Sequence, residues 1–147
     1  MSDAVTSTSR QLVVFSLGSE EYAFPIQSVH EIIRYTEPRT VNSDVPWIQG
    51  VISLRGKIVS VHDLATRLGA TPGDAAGERK IVIVEADGDQ AGVVVDDVEE
   101  VLTVEAEQLD HVPGSADGAI EAIAKIDDRL VVLLDPAGVL GTAPVAA

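Results

Sequence analysis

Residues 12–26, LVVFSLGSEEYAFPI, contain two apolar segments separated by a short turn at Gly18-Ser19-Glu20. Short apolar runs bounded by turn residues are typical of a β-hairpin. Valine and isoleucine dominate the aliphatic residues of the chain, and their branched side chains fit the pleated surface of a sheet. The segment therefore predicts an antiparallel pair of strands.

The same pattern recurs later in the chain. Residues 12–33 align with residues 81–102 at a shift of 69, and residues 48–69 align with residues 120–141 at a shift of 72. Chance matching of apolar residues is the weaker explanation, because aspartate and glycine positions align as well. We therefore expect two approximate repeats, residues 11–69 and 80–141, joined by a linker over 70–79.

Further strands are predicted at Ile58–Val61, Ile81–Val84, Ala91–Val95, Ile123–Ile126 and Leu130–Leu134. Two short helices are expected, one over Leu64–Leu68 with Asp63 as its cap and Gly69 as its stop, and one after Asp135. The pattern of Ser28–Arg34 fits either a helical turn or a continued strand. Units this small remove exposed strand edges by closing into barrels, so an all-β fold with a groove between two packed units is expected.

The net charge of the chain limits the classes of partner that it can bind. The 147 residues carry a net charge of −14, with 24 acidic residues and three lysines. This charge repels nucleic acids and anionic membranes, and it indicates either basic partners or plain solubility, including solubility in a salt-rich cytoplasm. The chain has no cysteine and no apolar run near the ~18 residues of a membrane span. The sequence predicts a cytoplasmic protein with a disordered segment at 1–10 and a tail at 142–147.

Catalytic and metal-binding patterns are absent from the sequence. The histidines His30, His62 and His111 have no metal-ligand spacing, and no phosphate loop or nucleophile motif occurs. His62-Asp63 resembles a catalytic dyad, but a helix cap beside a partly packed histidine explains it better. The acid pairs at 96–97, 99–100 and 127–128 are expected on a solvated surface. The sequence thus predicts no enzyme activity, no cofactor and no metal.

A few residues are candidates for partner binding. Arg55 lies at a hairpin tip, where it is either a solvated turn residue or a charged anchor for a partner. Val29, Glu31 and Ile32 follow the first hairpin, where they either belong to the core or line a groove that accepts a helix. From the residues alone, the core interpretation is favoured for Val29 and Ile32, and the two interpretations of Arg55 stay open.

Three segments carry a resemblance to a known family: residues 12–22, residues 29–32 and residues 50–64, the last containing Gly-Val-Ile-Ser-Leu-Arg-Gly. With Gly92–Asp96 followed by Val98, they resemble the CheW family of chemotaxis coupling proteins over about residues 11–141. The resemblance implies two five-stranded Src-homology-3-like β-barrels packed side by side, with short helices.

The resemblance also implies a function. Members of the family are non-catalytic adaptors that couple methyl-accepting chemotaxis receptors to the histidine kinase CheA. They bind the helical receptor tip in the groove between the barrels, and they bind the CheA regulatory domain, which has the same fold. The protein is expected to be a monomer alone and to join membrane-associated receptor arrays without entering the membrane.

Residue by residue, the resemblance assigns receptor binding to Val29, Glu31, Ile32, Arg55 and Val98, with Arg55 needed for coupling. It leaves the kinase contact unassigned, and pseudo-symmetry places that contact at the barrel ends away from the groove. His62 and Ser60 depart from the aliphatic residue and the proline that are common in the family. Open alternatives are a coupler for another array (pili or gliding), an enzyme using His62 and Asp63, and a generic barrel scaffold.

Overall fold

The computed structural model describes residues 9–41, 45–69, 79–86, 88–111 and 118–140. Within these ranges the strands are β1 Arg10–Leu17, β2 Glu20–Pro25, β3 Val29–Arg34, β4 Ile48–Leu54, β5 Lys57–Asp63, β6 Lys80–Ala86, β7 Asp89–Val95, β8 Asp97–Val104, β9 Leu109–His111, β10 Ile120–Ile126 and β11 Arg129–Leu134. The helices are α1 Leu64–Leu68 and α2 Pro136–Leu140. Most of the segments expected to be disordered, linker or tail lie outside the described residues.

The strands form two sheets. The first sheet has six strands in the order β8-β1-β2-β11-β10-β9, and the second has five in the order β3-β6-β7-β5-β4. Neighbouring strands are antiparallel except for the parallel pairs β2–β11 and β5–β7. The all-β class with short helices is thereby confirmed.

Each sheet is built from both halves of the chain. The first sheet combines β1 and β2 with β8, β10 and β11, and the second combines β6 and β7 with β3, β4 and β5. The repeat pairs β1 with β6, β2 with β7, β3 with β8, β4 with β10 and β5 with β11. The two members of each such pair occupy the same position in the two sheets, so the structure has the internal symmetry of the sequence. However, each half of the chain contributes strands to both sheets. The sequence patterns did not predict this exchange.

The sheets curl into open barrels. After β8 the chain makes a short 3-10 turn, and β9 then pairs with β10 at the far edge of the same sheet. After β3, Arg39 forms a bridge to Val51 of β4, which is the far edge of the second sheet. A Cβ atom at Gly50 would clash with the carbonyl of Arg39, so this closure requires glycine beside it. The described strand pairs do not complete either barrel.

The buried apolar side chains form three clusters. One is formed by strands of the first sheet and includes Leu12, Val14 and Leu133, and one is formed by strands of the second sheet and includes Val61, Ile81 and Ile83. The third, which we call the shared core, lies between the sheets and comprises Phe15, Leu17, Tyr22, Phe24, Leu64, Ala65, Val82, Val84, Val93, Val95, Ala119, Leu134 and Val139. Strands such as β6 are buried on both faces, which explains their continuous rather than alternating apolar runs.

The ends of α1 confirm the predicted caps. The Asp63 carboxylate accepts a hydrogen bond from the backbone N–H of Thr66 at 3.4 Å, and Gly69 takes a left-handed conformation with φ of 71°. Residues 26–28 form one 3-10 turn, and the ambiguous segment that follows is the strand β3. Both short helices place side chains in the shared core.

The strand exchange predicts that the two halves of the chain cannot fold separately. Fragments of residues 1–74 and 75–147 each lack strands that both sheets need, so each should be unfolded by circular dichroism. Mixing them should restore the spectrum of the intact protein. A dispersed amide NMR spectrum from either fragment alone would contradict the exchange.

Candidate partner-binding site

A bulge in the edge strand β3 determines which way its side chains point. Val29 pairs with Val84 and Glu31 with Ile83, which leaves His30 as the extra residue. Bulges of this kind re-aim the side chains of a strand. Ile32 pairs with Val82 of the shared core, so Val29 and Ile32 lie on the face toward that core and Glu31 lies on the opposite face.

These apolar residues differ in exposure. Val29 is half-buried against the shared core, whereas Ile32 has 41% of its surface exposed, so Ile32 is not an ordinary core residue. Val98, the repeat equivalent of Val29, lies on β8 opposite Phe15 and is half-buried against the same core. The structure thus places Val29 and Val98 on different sheets, each at the margin of the shared core.

Arg55 and Glu31 form a two-pronged ion pair. Arg55 Nε donates to Glu31 Oε1 and Arg55 Nη2 donates to Glu31 Oε2, both at 3.1 Å. The hydrogen bonds from Arg55 hold the pKa of Glu31 below its usual range, so Glu31 stays ionised. β3 and β4 are opposite edges of the second sheet and do not pair with each other. The ion pair connects these edges, because Glu31 lies on β3 and Arg55 lies in the turn that follows β4.

The backbone of Arg55 adopts a conformation that few residues accept. Its φ is 52°, in the left-handed region where a Cβ atom is disfavoured. Asp127, the repeat equivalent at the tip of the β10–β11 hairpin, has φ of 55°. Aspartate tolerates this region better than arginine does. The unfavourable backbone of Arg55 is therefore a reason to ask what its side chain contacts, and that contact is Glu31.

The first sheet has an equivalent ion-pair network that the sequence reasoning missed. Arg129 donates to both carboxylate oxygens of Glu21, at 3.1 and 2.9 Å, and contacts Glu100 at 2.9 Å. The repeat could have identified Glu100, which is the equivalent of Glu31, but not Arg129, which is the equivalent of Lys57 rather than of Arg55. Arg129 lowers the pKa of Glu21, whereas the hydrogen bond with Glu21, together with burial, raises the pKa of Glu99 to about 7. Arg129 therefore favours the ionised form of Glu21, whereas Glu99 keeps its proton to higher pH than an isolated carboxyl group does.

The expectation of solvated acid pairs is wrong for Asp96. This residue is buried, with 6% of its surface exposed, and its Oδ2 accepts a hydrogen bond from the Gly18 N–H at 2.7 Å. Asp97 is exposed and pairs with Lys80 at 3.3 Å. Asp96 thus fastens the β1–β2 turn to the chain between β7 and β8, because a buried carboxylate needs hydrogen-bond donors.

The residues around His62 do not form a catalytic group. Its Nε2 lies 3.3 Å from Ser60 Oγ, in a depression of about 550 Å³, but its buried Nδ1 has no hydrogen-bond partner among the described residues. Asp63 is occupied as the cap of α1. Burial, assisted by the charge of Arg67, lowers the pKa of His62 to about 4, which makes it a poor general base. The pair also lacks the third group that normally orients a catalytic histidine.

The described residues also contain no cluster of three metal-ligating side chains. None of the helices in the described part of the chain is long and apolar enough to cross a membrane.

Burial of neutral His62 predicts a specific loss of stability in acid. Between pH 6.5 and about 4, the unfolded chain binds a proton at His62 that the folded chain does not. The free energy of unfolding should therefore fall across this range, by on the order of 2–3 kcal/mol at its lower end. His62→Leu, which installs the residue found at the repeat-equivalent position 134, should remove this part of the pH dependence.

Urea unfolding of both proteins between pH 4 and 7 measures the effect. Acid titration of the carboxylates is common to the two chains and cancels in their difference. Parallel curves for the wild-type chain and His62→Leu would contradict the prediction.

Comparison with known proteins gives a consistent result. Residues 11–143 match the family model described as CheW-like domain. The chain is 31% identical to the chemotaxis protein CheW of Bacillus subtilis, over 93% of this chain and 90% of that protein. It is 32% identical to the probable chemotaxis protein CheW of Rhizobium etli, over 92% of each.

A solved structure agrees with these relatives. The crystal structure of the scaffolding protein TtCheW from Thermoanaerobacter tengcongensis superposes with a TM-score of 0.79 at 33% identity, covering 86% of this chain and 88% of that one. The family match, the relatives and the shared fold extend over nearly the whole chain. The chain belongs to the CheW-like family of non-catalytic chemotaxis scaffolding proteins.

Proposed function

We propose that this protein is the cytoplasmic adaptor that couples methyl-accepting chemotaxis receptors to the histidine kinase CheA. The observation that carries the proposal is the Glu31–Arg55 pair on the edge of the second sheet, beside the exposed Ile32. Family membership supplies the chemotaxis context. The protein is recruited from the cytoplasm to receptor arrays by its two partners.

The receptor tip is proposed to bind along the margin of the shared core. Val29 and Ile32 share one face of β3, and Val98 lies at the corresponding place on β8. Apolar side chains in such a groove accept the apolar stripe of an amphipathic helix. Glu31, on the other face of β3, fixes the strand through Arg55 rather than meeting the helix with its apolar neighbours.

Arg55 is proposed to act by holding the site. Its guanidinium is occupied by Glu31, and its side chain is 75% exposed. From the turn between β4 and β5, the guanidinium reaches Glu31 on β3. Loss of this pair leaves the edge strand that carries Val29 and Ile32 free to shift locally, so receptor binding and kinase control fall together while the fold persists.

The kinase regulatory domain is proposed to bind at the barrel ends away from the receptor groove. An adaptor with two partners transmits a signal only if its contacts differ between signalling states. Separate surfaces for the two partners allow both to be bound while the sheets reposition.

The function predicts that Arg55→Gly uncouples the kinase without unfolding the protein. Glycine accepts the left-handed backbone, which offsets the lost ion pair, so the melting temperature should stay within about 3 °C of the wild type. Receptor-stimulated CheA autophosphorylation in a reconstituted array should fall about tenfold.

Asp127→Gly is the matched control, because it makes the same backbone change at the equivalent tip. It should raise the melting temperature by about 2–4 °C and leave kinase stimulation unchanged. Full stimulation by Arg55→Gly, or equal losses in both variants, would refute the role of Arg55.

Receptor binding should depend on Ile32. Ile32→Asp places a charge on the proposed apolar contact and should weaken binding to a receptor-tip fragment by about tenfold or more. Leu130→Asp makes the same kind of change at an exposed apolar residue of β11, outside the two strands proposed to bind the receptor, so it should leave binding within about twofold. Calorimetric titration at low and high salt measures both, and equal weakening by the two substitutions would disprove the placement of the receptor on β3.

A further inference from the structure

Arg67 joins the two sheets through a chain of contacts. It lies on α1, which follows β5 of the second sheet, and its Nη2 donates to the carbonyl of Gly138 at 2.8 Å. Gly138 lies in α2, which follows β11 of the first sheet and packs against β6 of the second. This hydrogen bond therefore spans 71 residues of sequence and connects elements that extend from different sheets.

The Arg67 side chain is held at its other side by Trp47. The guanidinium carbon lies 4.9 Å from the centre of the indole ring, which is cation–π geometry. Trp47 is itself fixed to the second sheet, because its carbonyl accepts the Asp63 N–H at 2.6 Å. Arg67 is thus positioned by the second sheet before it reaches α2.

The accepting carbonyl is fastened to the first sheet. Gly138 packs so closely on the carbonyl of Gly118 that a Cβ atom would clash with it. The Asp135 N–H also donates to the carbonyl of Ala119 at 2.8 Å, immediately before β10. Carbonyls in the last turn of a helix lack intrahelical donors and accept cationic side chains well. Gly138 is therefore held to the first sheet, and its carbonyl would move with that sheet.

The other half of the chain fills the equivalent position in a different way. The equivalent of Arg67 is Val139, which is fully buried in the shared core. One half of the chain fills this position with an apolar side chain, and the other uses an arginine stacked on the single tryptophan. Apolar contacts are non-directional and allow a range of orientations between the two sheets, whereas a hydrogen bond and a ring contact each have a preferred geometry.

We propose that Arg67 is a positioning residue that sets the angle between the two sheets and thereby the width of the receptor groove. This inference rests on the proposed function, because Val29 and Val98 lie on different sheets at the margin of the shared core. Arg67 itself contacts neither the receptor nor CheA. It acts through Trp47 on one side and Gly138 on the other.

Distance measurement tests the positioning directly. The chain has no cysteine, so spin labels can be attached at Ser53→Cys and Thr103→Cys, which are exposed positions on the second and first sheets. The wild-type chain should give a narrow distribution of label distances. Arg67→Val, which copies the repeat-equivalent residue, should broaden or shift that distribution while the melting temperature changes little. An unchanged distribution would overturn the proposal.

Kinase stimulation provides the functional readout. Arg67→Val should bind CheA alone as the wild type does, yet bind the receptor tip less tightly and reduce receptor-dependent autophosphorylation about fivefold or more. Arg67→Lys keeps the charge and a donor but not the planar fork, so it should be intermediate, and it serves if Arg67→Val does not fold.

Full stimulation by Arg67→Val would overturn the link between orientation and coupling. Absence of stimulation by the wild-type chain would instead refute the proposed function, and the label distances would still test the positioning.

Discussion

Burial of both faces of the central strands is the constraint on which the structure depends. The strands β1, β2, β6 and β7 contact a barrel core on one face and the shared core on the other. Apolar area removed from water on both faces stabilises the strands that lie innermost and leaves β3 and β8 at the edges. The positions of these edge strands, and of their exposed side chains, follow from how the two sheets pack.

Local features of this fold could be read from the sequence, and non-local ones could not. The first hairpin, the repeat and the caps at Asp63 and Gly69 follow from residue type and spacing, which act over a few residues. The strand exchange could not be predicted, because the apolar pattern of β3 suits either sheet equally. Asp96 was misjudged for the same reason, since its partner Gly18 lies 78 residues away.

The site shows a similar division. The resemblance to the family named Glu31 and Arg55 but not their contact, which joins two edges of a sheet whose strand order the sequence did not reveal. The arginines of this acidic chain are used largely as ties within the protein: Arg10 pairs with Glu121, Arg55 with Glu31, and Arg129 with Glu21 and Glu100. Its excess acidic charge remains on the surface, where salt screens it.

The exchange of strands has a consequence for how the two halves can diverge. In a tandem duplication whose copies fold separately, one copy can accumulate changes while the other preserves function. Here each barrel draws its strands from both copies, so changes that accumulate along one half affect both barrels. Specialisation must therefore occur at hairpin tips and edge strands, where Arg55 and Asp127, or Ile32 and Val101, already differ within one shared framework.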